Sequence, residues 1–300
     1  MLSRKDKIKP KHKRKWVVAI FVIMFLGVLG FAGFQVYTRV PAVYTQVNNL
    51  FKQVQHPKAT LDETSELTKL WQKDLATTAS PVAIAVFDNK TGITTTYTND
   101  KNTKYYMAST VKVSILAGLL YQKTLDNEDL SDYEASLAQN MIENSDNDAA
   151  TALLEAEGGR TKQAALFDYL EMAKTKMPPD SWGYTTTTPA DQLKLLNAIY
   201  YPNELLATDS REYIADLMGN VADSQAWGIS AGATADTDVQ IKNGWLEDDA
   251  GWIINSMGHI KNDQADYTIA VFTNQNETED TGIDTIEQLA QTTFTYLNVN

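Results

Sequence analysis

Nineteen consecutive residues without a charge, Trp16 to Phe34, limit what this chain can become more than any other feature. As a helix the run extends roughly 28 Å, close to the hydrocarbon thickness of a bilayer. Trp16 and Tyr37 lie near its ends, where amphipathic rings prefer to sit. Just before it, residues 1–15 hold eight Lys/Arg (Arg4, Lys5, Lys7, Lys9, Lys11, Lys13, Arg14, Lys15) against one acid, Asp6. The positive-inside rule keeps such a flank in the cytoplasm and sends the C-terminal side of the run outward. The expectation is a basic cytoplasmic tail over 1–15 and a transmembrane signal-anchor helix over 16–38, giving a single-pass cell-membrane protein. A cleaved signal peptide, with Gly30-Phe31-Ala32 as a poor small-x-small site, is the competing reading, although the apolar run is long for one. Under either reading the C-terminal body lies outside the cytoplasm.

The tail carries +7 of a whole-chain charge of −12, so taking it away leaves −19 on the remainder. An acidic body argues against a nucleic-acid partner. There are no cysteines, which excludes disulfides, thiolate metal sites, a cysteine nucleophile and a lipidated cysteine. The three histidines, His12, His56 and His259, are far apart, and no His/Asp/Glu group has ligand spacing, so no metal and no cofactor is expected. Residues 39–62, polar and carrying Pro41, His56 and Pro57, read as an extracytoplasmic stalk. Residues 63–300 are long enough to bury a core of their own.

In that body, Leu67, Leu70, Trp71 and Leu75 recur at helical spacing from about Glu63. Val82–Phe87 reads as a buried strand, turning through Asp88–Gly92 into a second strand, Ile93–Thr98. From about Ser109 to Met218 the pattern is mostly helical: a central buried helix over Ser109–Tyr121, then amphipathic segments at 133–142, 148–154, 162–173 and 189–200. Strands return at 239–244, 252–260 and 267–273, and a helix closes the chain over 284–296. Strands at both ends and helices between predict one sheet from N- and C-terminal segments, with a helical insertion as a second lobe.

Ser109 and Lys112 lie three apart at the start of a helix, on one face of its first turn. A serine hydroxyl is a weak nucleophile until a base takes its proton, and a desolvated lysine can be that base. A helix N-terminus adds N–H groups able to hold an oxyanion. Taken alone, the pair reads more readily as an N-cap serine followed by an ordinary lysine. Ser145-Asp146-Asn147 precedes a helix and doubles as a capping loop. Lys242-Asn243-Gly244-Trp245 ends the strand over 239–244; a lysine and a glycine there can hold a substrate carboxylate while the backbone approaches closely, or simply form a strand end.

Together and in this order the three resemble S-x-x-K, S-D-N and K-T-G, the signature of class A β-lactamases and penicillin-binding proteins. The resemblance runs from about Thr64 to Leu297 and includes Thr187-Thr188-Pro189-Ala190-Asp191 and Asn255-Ser256-Met257-Gly258. It implies an α/β (α+β) two-lobe fold, an antiparallel sheet flanked by helices plus an all-α lobe, with the site in the cleft. The short interval from Ser109 to Ser145 suggests a trimmed helical lobe. The resemblance implies Ser109 as the acylated nucleophile, Lys112 as its base and Ser145 as proton relay to the leaving nitrogen. Asn147 would hold the substrate's amide side chain, Lys242 would attract its carboxylate and tune Ser145, and the N–H groups of Ser109 and Trp245 would form the oxyanion hole. Asn243 stands where the family has Thr or Ser, which alters the carboxylate contact. Gly244 completes the strand motif.

One departure matters more. Class A β-lactamases carry a glutamate between S-D-N and the Thr-Thr-Pro segment that activates the deacylating water. The corresponding loop here, residues 174–184, has Asp180 as its only acid, and Glu171, just before it, is expected on a helix face in a structural role. Two other patterns mislead. Lys90-Thr91-Gly92 precedes Ser109 and belongs to a hairpin turn, and Gly228-Ile229-Ser230-Ala231-Gly232 lacks the following helix that a nucleophile elbow needs. His259 is a thin candidate for a Ser-His-Asp triad. The resemblance therefore implies a serine hydrolase of β-lactams or D-alanyl peptide amides, anchored outside a Gram-positive cell membrane. A DD-carboxypeptidase-type cell-wall peptidase and a non-hydrolytic cell-wall peptide or β-lactam binder are the alternatives. A tail of fifteen residues leaves no room for a signalling domain, which counts against a sensor.

Overall fold

The structure, a computed structural model, describes residues 65–299. The tail, anchor helix and stalk expected over 1–62 lie outside the described residues. Among the described residues no helix is long and apolar enough to cross a membrane.

Strand β1 (Val82–Asp88) alternates its side chains between two cores. Val82, Ile84 and Val86 face one, and Ala83, Ala85 and Phe87 the other. Burial on both faces explains why this strand reads as an unbroken apolar run. It pairs antiparallel with β2 (Ile93–Thr98) across the Asp88–Gly92 turn, where Gly92 has φ 70°. A separate two-stranded ribbon joins β3 (Tyr105–Tyr106) to β4 (Thr186–Thr187). On its other side β1 pairs with β7 (Asp266–Thr273), followed outward by β6 (Gly251–Lys261) and β5 (Asp238–Asp248). The order β2-β1-β7-β6-β5 is the sheet of N- and C-terminal segments that the sequence predicts. β5 extends to Asp248, so the Lys242–Trp245 motif lies within a strand and not at its end as expected.

Two terminal helices cover one face. Helix α1 (Glu66–Asp74) opens on an N-cap Ser65 and buries Leu67 and Trp71. The Trp71 indole donates to Thr293 Oγ1 of the last helix at 3.0 Å. Leu70, expected on the buried stripe, is 39 % exposed.

The other face carries the helices between the strands, beginning with α2 (Val111–Asp126). All ten residues from Val111 to Leu120 are buried, including Lys112 and Ser114. That stretch is enclosed on every side, as the central buried helix expected over Ser109–Tyr121, and α2 reaches solvent only beyond Leu120. Around it pack α3 (Asp132–Glu143), α4 (Asn147–Glu157) and α5 (Gly159–Tyr169), while α6 (Pro189–Tyr200) lies against β1 and β7 and touches α7 (Thr208–Gly219), which also packs on α2. Sequence periodicity marks no separate segment for α7. Its buried residues, Ile214, Leu217 and Met218, are too few to show a long repeat. Helix α8 (Glu279–Val299) closes the chain on the α1 face.

Glu157, at the end of α4, is buried with neither carboxylate oxygen partnered. It fills the notch left by Gly118 on α2; a Cβ there would overlap its Oε1. Burial raises its pKa to about 9. Folding therefore takes up a proton between the ordinary carboxylate range and about 9, and stability falls as pH rises through that window. Glu157→Gln should flatten this dependence, gaining on the order of 2–3 kcal/mol over the parent at pH 8 and little at pH 4.5. Urea unfolding at the two pH values checks it; equal gains at both would contradict the account.

Candidate active site

Ser109 occupies a single 3-10 turn, Ala108–Thr110, leading directly into α2. Ala108 has φ 48°, a left-handed conformation that costs a residue with a Cβ about 1 kcal/mol or more. The turn is held from three sides. The Met107 N–H donates to Thr185 O at 2.8 Å, Asn255 Nδ2 on β6 donates to Tyr106 O (2.8 Å) and Met107 O (3.2 Å), and Thr110 Oγ1 donates back to Met107 O.

The fourth support is β5. A Cβ on Gly244 would lie 2.6 Å from Ser109 N, 2.7 Å from Thr110 N and 2.9 Å from Met107 O. Glycine is required here because two backbones touch; φ plays no part. The contact sets the edge strand directly against the Ser109 amide.

Lys112 projects from the first turn of α2 and is fully buried. Its Nζ lies 3.0 Å from Ser109 Oγ, 3.1 Å from Ser145 Oγ, 2.6 Å from Ser145 O and 2.7 Å from Asn147 Oδ1. All four acceptors are neutral, so no hydrogen-bonded carboxylate offsets the loss of water. Burial lowers its pKa to about 8, the charge of Asp146 opposing the shift. A lysine so held is substantially neutral near pH 8 and can accept the Ser109 proton.

Ser145 lies between α3 and α4 with φ 58°, a second left-handed non-glycine residue at the site. Asp146 caps α4 by accepting from Ala149 N at 2.7 Å, which fixes the loop. Lys242 Nζ reaches Ser145 Oγ at 3.0 Å and Asn243 O at 2.9 Å. Lys242 is also fully buried, and burial followed by the Lys112 charge holds its pKa well below the usual lysine range. Ser145 Oγ thus stands between two lysine nitrogens. Accepting from both, it keeps its own O–H free to donate elsewhere.

The structure therefore brings Ser109, Lys112, Ser145, Asn147, Lys242 and Gly244 together. Asn243 is turned away from them: it is buried, and its Nδ2 donates to Gln225 O and Trp227 O at 2.8 and 2.9 Å. That amide ties β5 to the loop before it. Trp245 is half-buried beside Trp227, ring centroids 6.0 Å apart.

Glu171 is not on a helix face. Helix α5 ends at Tyr169, and Glu171 occupies an exposed turn at φ 57°, its carbonyl accepting from Lys194 Nζ. Asp180 is exposed. What the loop does bring in is Trp182, whose ring centroid lies 5.1 Å from Lys112 Nζ. A search of the loop for acids alone overlooks it.

The remaining motifs are structural. Thr188 caps α6, and Asp191 accepts from Lys174 N and Thr175 Oγ1, securing the start of the 174–184 loop. Ser230 sits between Gly228 (φ 91°) and Gly232 (φ 89°), its Oγ donating to Ala226 O. His259 bonds Gln240 and Asp266 and stacks on Tyr200, within the sheet. Among the described residues no group of three or more His/Asp/Glu could hold a metal.

Comparison with known proteins bears on the family and the fold. The profile of the beta-lactamase enzyme family matches residues 126–297. No curated protein matches the chain in sequence. Among solved structures, a class A beta-lactamase from Bacteroides cellulosilyticus superposes with a TM-score of 0.69 at 16% identity, covering 78% of this chain and 98% of its own. PBP-A superposes with a TM-score of 0.70 at 17% identity, covering 82% and 100%. A mutant of PBP-A, in an acyl-enzyme complex with penicillin G, gives 0.67 at 17% identity, covering 78% and 96%. At these identities the likeness is one of fold.

Proposed function

The chain belongs to the beta-lactamase enzyme family, and on that basis we propose that it is an acyl-serine hydrolase of β-lactams or D-alanyl peptide amides, with Ser109 as nucleophile. The observation that carries the reading is Lys112: fully buried, without a carboxylate among its hydrogen-bond partners, and 3.0 Å from Ser109 Oγ. Neutral Lys112 takes the Ser109 proton as Oγ attacks the carbonyl carbon. The N–H groups of Ser109 and Trp245 receive the developing oxyanion. As the C–N bond breaks, Ser145 gives its proton to the leaving nitrogen and is re-protonated from Lys112. Lys242 supports that relay through its contact with Ser145 Oγ and draws in the substrate carboxylate, and Asn147 holds the substrate's amide side chain.

A second reading, a penicillin-binding peptidase of the DD-carboxypeptidase kind, is favoured by the exposure of Glu171 and Asp180. With both acids turned to solvent, neither stands ready to activate a deacylating water. Mixing the full-length chain in detergent with a chromogenic cephalosporin and, separately, a fluorescent penicillin tests both. Rapid cephalosporin turnover supports a β-lactamase, and a slowly released adduct supports the peptidase. If the chain shows no turnover and takes no adduct, the proposal is overturned.

The basic tail and the uncharged Trp16–Phe34 run support anchoring of this body outside the cell membrane. Recovery of the intact chain in the alkali-extracted membrane pellet is the expected result; a soluble, shortened chain would favour a cleaved signal peptide.

A further inference from the structure

The loop over 174–184 places an aromatic ring against the base. Trp182 opens a 3-10 turn, Trp182–Tyr184, that is fastened to the nucleophile segment: Trp182 O accepts from Thr185 N (3.1 Å) and Thr185 Oγ1 (2.6 Å), and Thr185 O accepts from Met107 N. Gly183 packs toward Leu246 of β5; a Cβ there would meet its Cδ1 at 3.8 Å. The indole N–H donates to Thr151 Oγ1, one turn beyond Asn147 on α4, at 3.3 Å. The half-buried ring is thus held at both its backbone and its tip, with its centroid 5.1 Å from Lys112 Nζ.

Lys112 Nζ already touches Ser109 Oγ, both oxygens of Ser145 and Asn147 Oδ1. Trp182 adds an apolar wall to this set. A water that hydrolyses an ester at Ser109 must sit within about 3 Å of a base and of the carbonyl carbon together. Asp180 in the loop and Glu171 before it are both exposed, so Lys112 is the buried base at hand.

We propose that Trp182 sets the lifetime of the acyl-Ser109 ester, acting as a positioning residue that covers Lys112 and keeps the hydrolytic water from it. The inference rests on the acylation of Ser109 proposed for this site. In the step it restrains, the water oxygen attacks the ester carbonyl carbon and its proton passes to neutral Lys112. The C–Oγ bond then breaks, Ser109 Oγ takes the proton back, and the product leaves as the carboxylic acid.

The test follows formation and loss of a fluorescent-penicillin adduct on the full-length chain in detergent. Trp182→Ala should shorten the adduct lifetime about tenfold or more while acylation stays within about threefold of the parent. Trp182→Phe, which keeps an aromatic face, should restore a lifetime close to the parent's. Thr151→Val, at an exposed position, frees the indole tip without removing the ring and should shorten the lifetime about two- to fivefold. A merely structural role would slow both steps together. If Trp182→Ala fails to fold, Thr151→Val and Trp182→Phe decide. An unchanged or longer lifetime in folded Trp182→Ala or in Thr151→Val, with acylation intact, overturns the inference alone. A parent chain that takes no adduct overturns the acyl-serine reading, and this inference with it.

Discussion

Lys112→Met is expected to lower acylation of Ser109 by at least about 10³-fold, because the substitution removes the general base while keeping side-chain volume. Stability should move the other way. Lys112 lies fully buried, with a folded pKa of about 8 against an ordinary 10.5. Folding therefore releases a proton between those values, and stability declines as pH drops through that window. The methionine variant loses that cost, so its thermal midpoint at pH 7 should equal or exceed the parent's. In the parent the same group gives acylation an ascending pH limb with a midpoint at or below about 8, since only the neutral amine accepts the proton. The coupled neighbour Lys242, itself shifted downward, makes that midpoint a property of the pair. Stopped-flow acylation from pH 5 to 10 measures it. A rate flat with pH, or a methionine variant that still acylates, would remove Lys112 from the role.

Gly244→Ala is the second large effect. The added methyl would press on Ser109 N, Thr110 N and Met107 O, all backbone atoms, so β5 or the nucleophile turn must shift. Displacing oxyanion N–H groups by a few tenths of an ångström should cost acylation about 10²–10³-fold. The overpacking should cost about 1–3 kcal/mol of stability. Gly183→Ala is the control: its Cβ would find Leu246 Cδ1 at 3.8 Å, an ordinary contact. Acylation rates and urea midpoints of the two variants compare directly, and equal effects would show that the Gly244 contact has no special place.

These predictions come from residues that the sequence makes visible to different degrees. Ser109, Lys112, Ser145 and Lys242 are legible because their motifs, in that order, resemble a known family's signature, and the sheet follows from strands clustered at the two ends of the chain. Gly244 is visible as a motif glycine, but the reason for it, a backbone contact, lies in the packing of β5 on a turn over 130 residues away in sequence. Asn243 misleads because a side-chain amide bonds backbone carbonyls as readily as a substrate, and only the position of Gln225 and Trp227 decides between them. Glu171 reads as helical because the amphipathic pattern runs on to residue 173, past the actual end of α5 at Tyr169. Trp182 carries no motif at all; its meaning is its distance from Lys112. Backbone strain at Ala108 and Ser145 leaves no trace in composition either.

Identifying the acylated atom tests the central claim most directly. The parent and Ser109→Ala chains are treated with penicillin G, quenched in acid and measured as intact masses, then digested and mapped. One penicilloyl adduct on the peptide holding Ser109 in the parent, and none in Ser109→Ala, is the predicted result. An adduct at another residue, or an equal adduct in Ser109→Ala, would contradict the account.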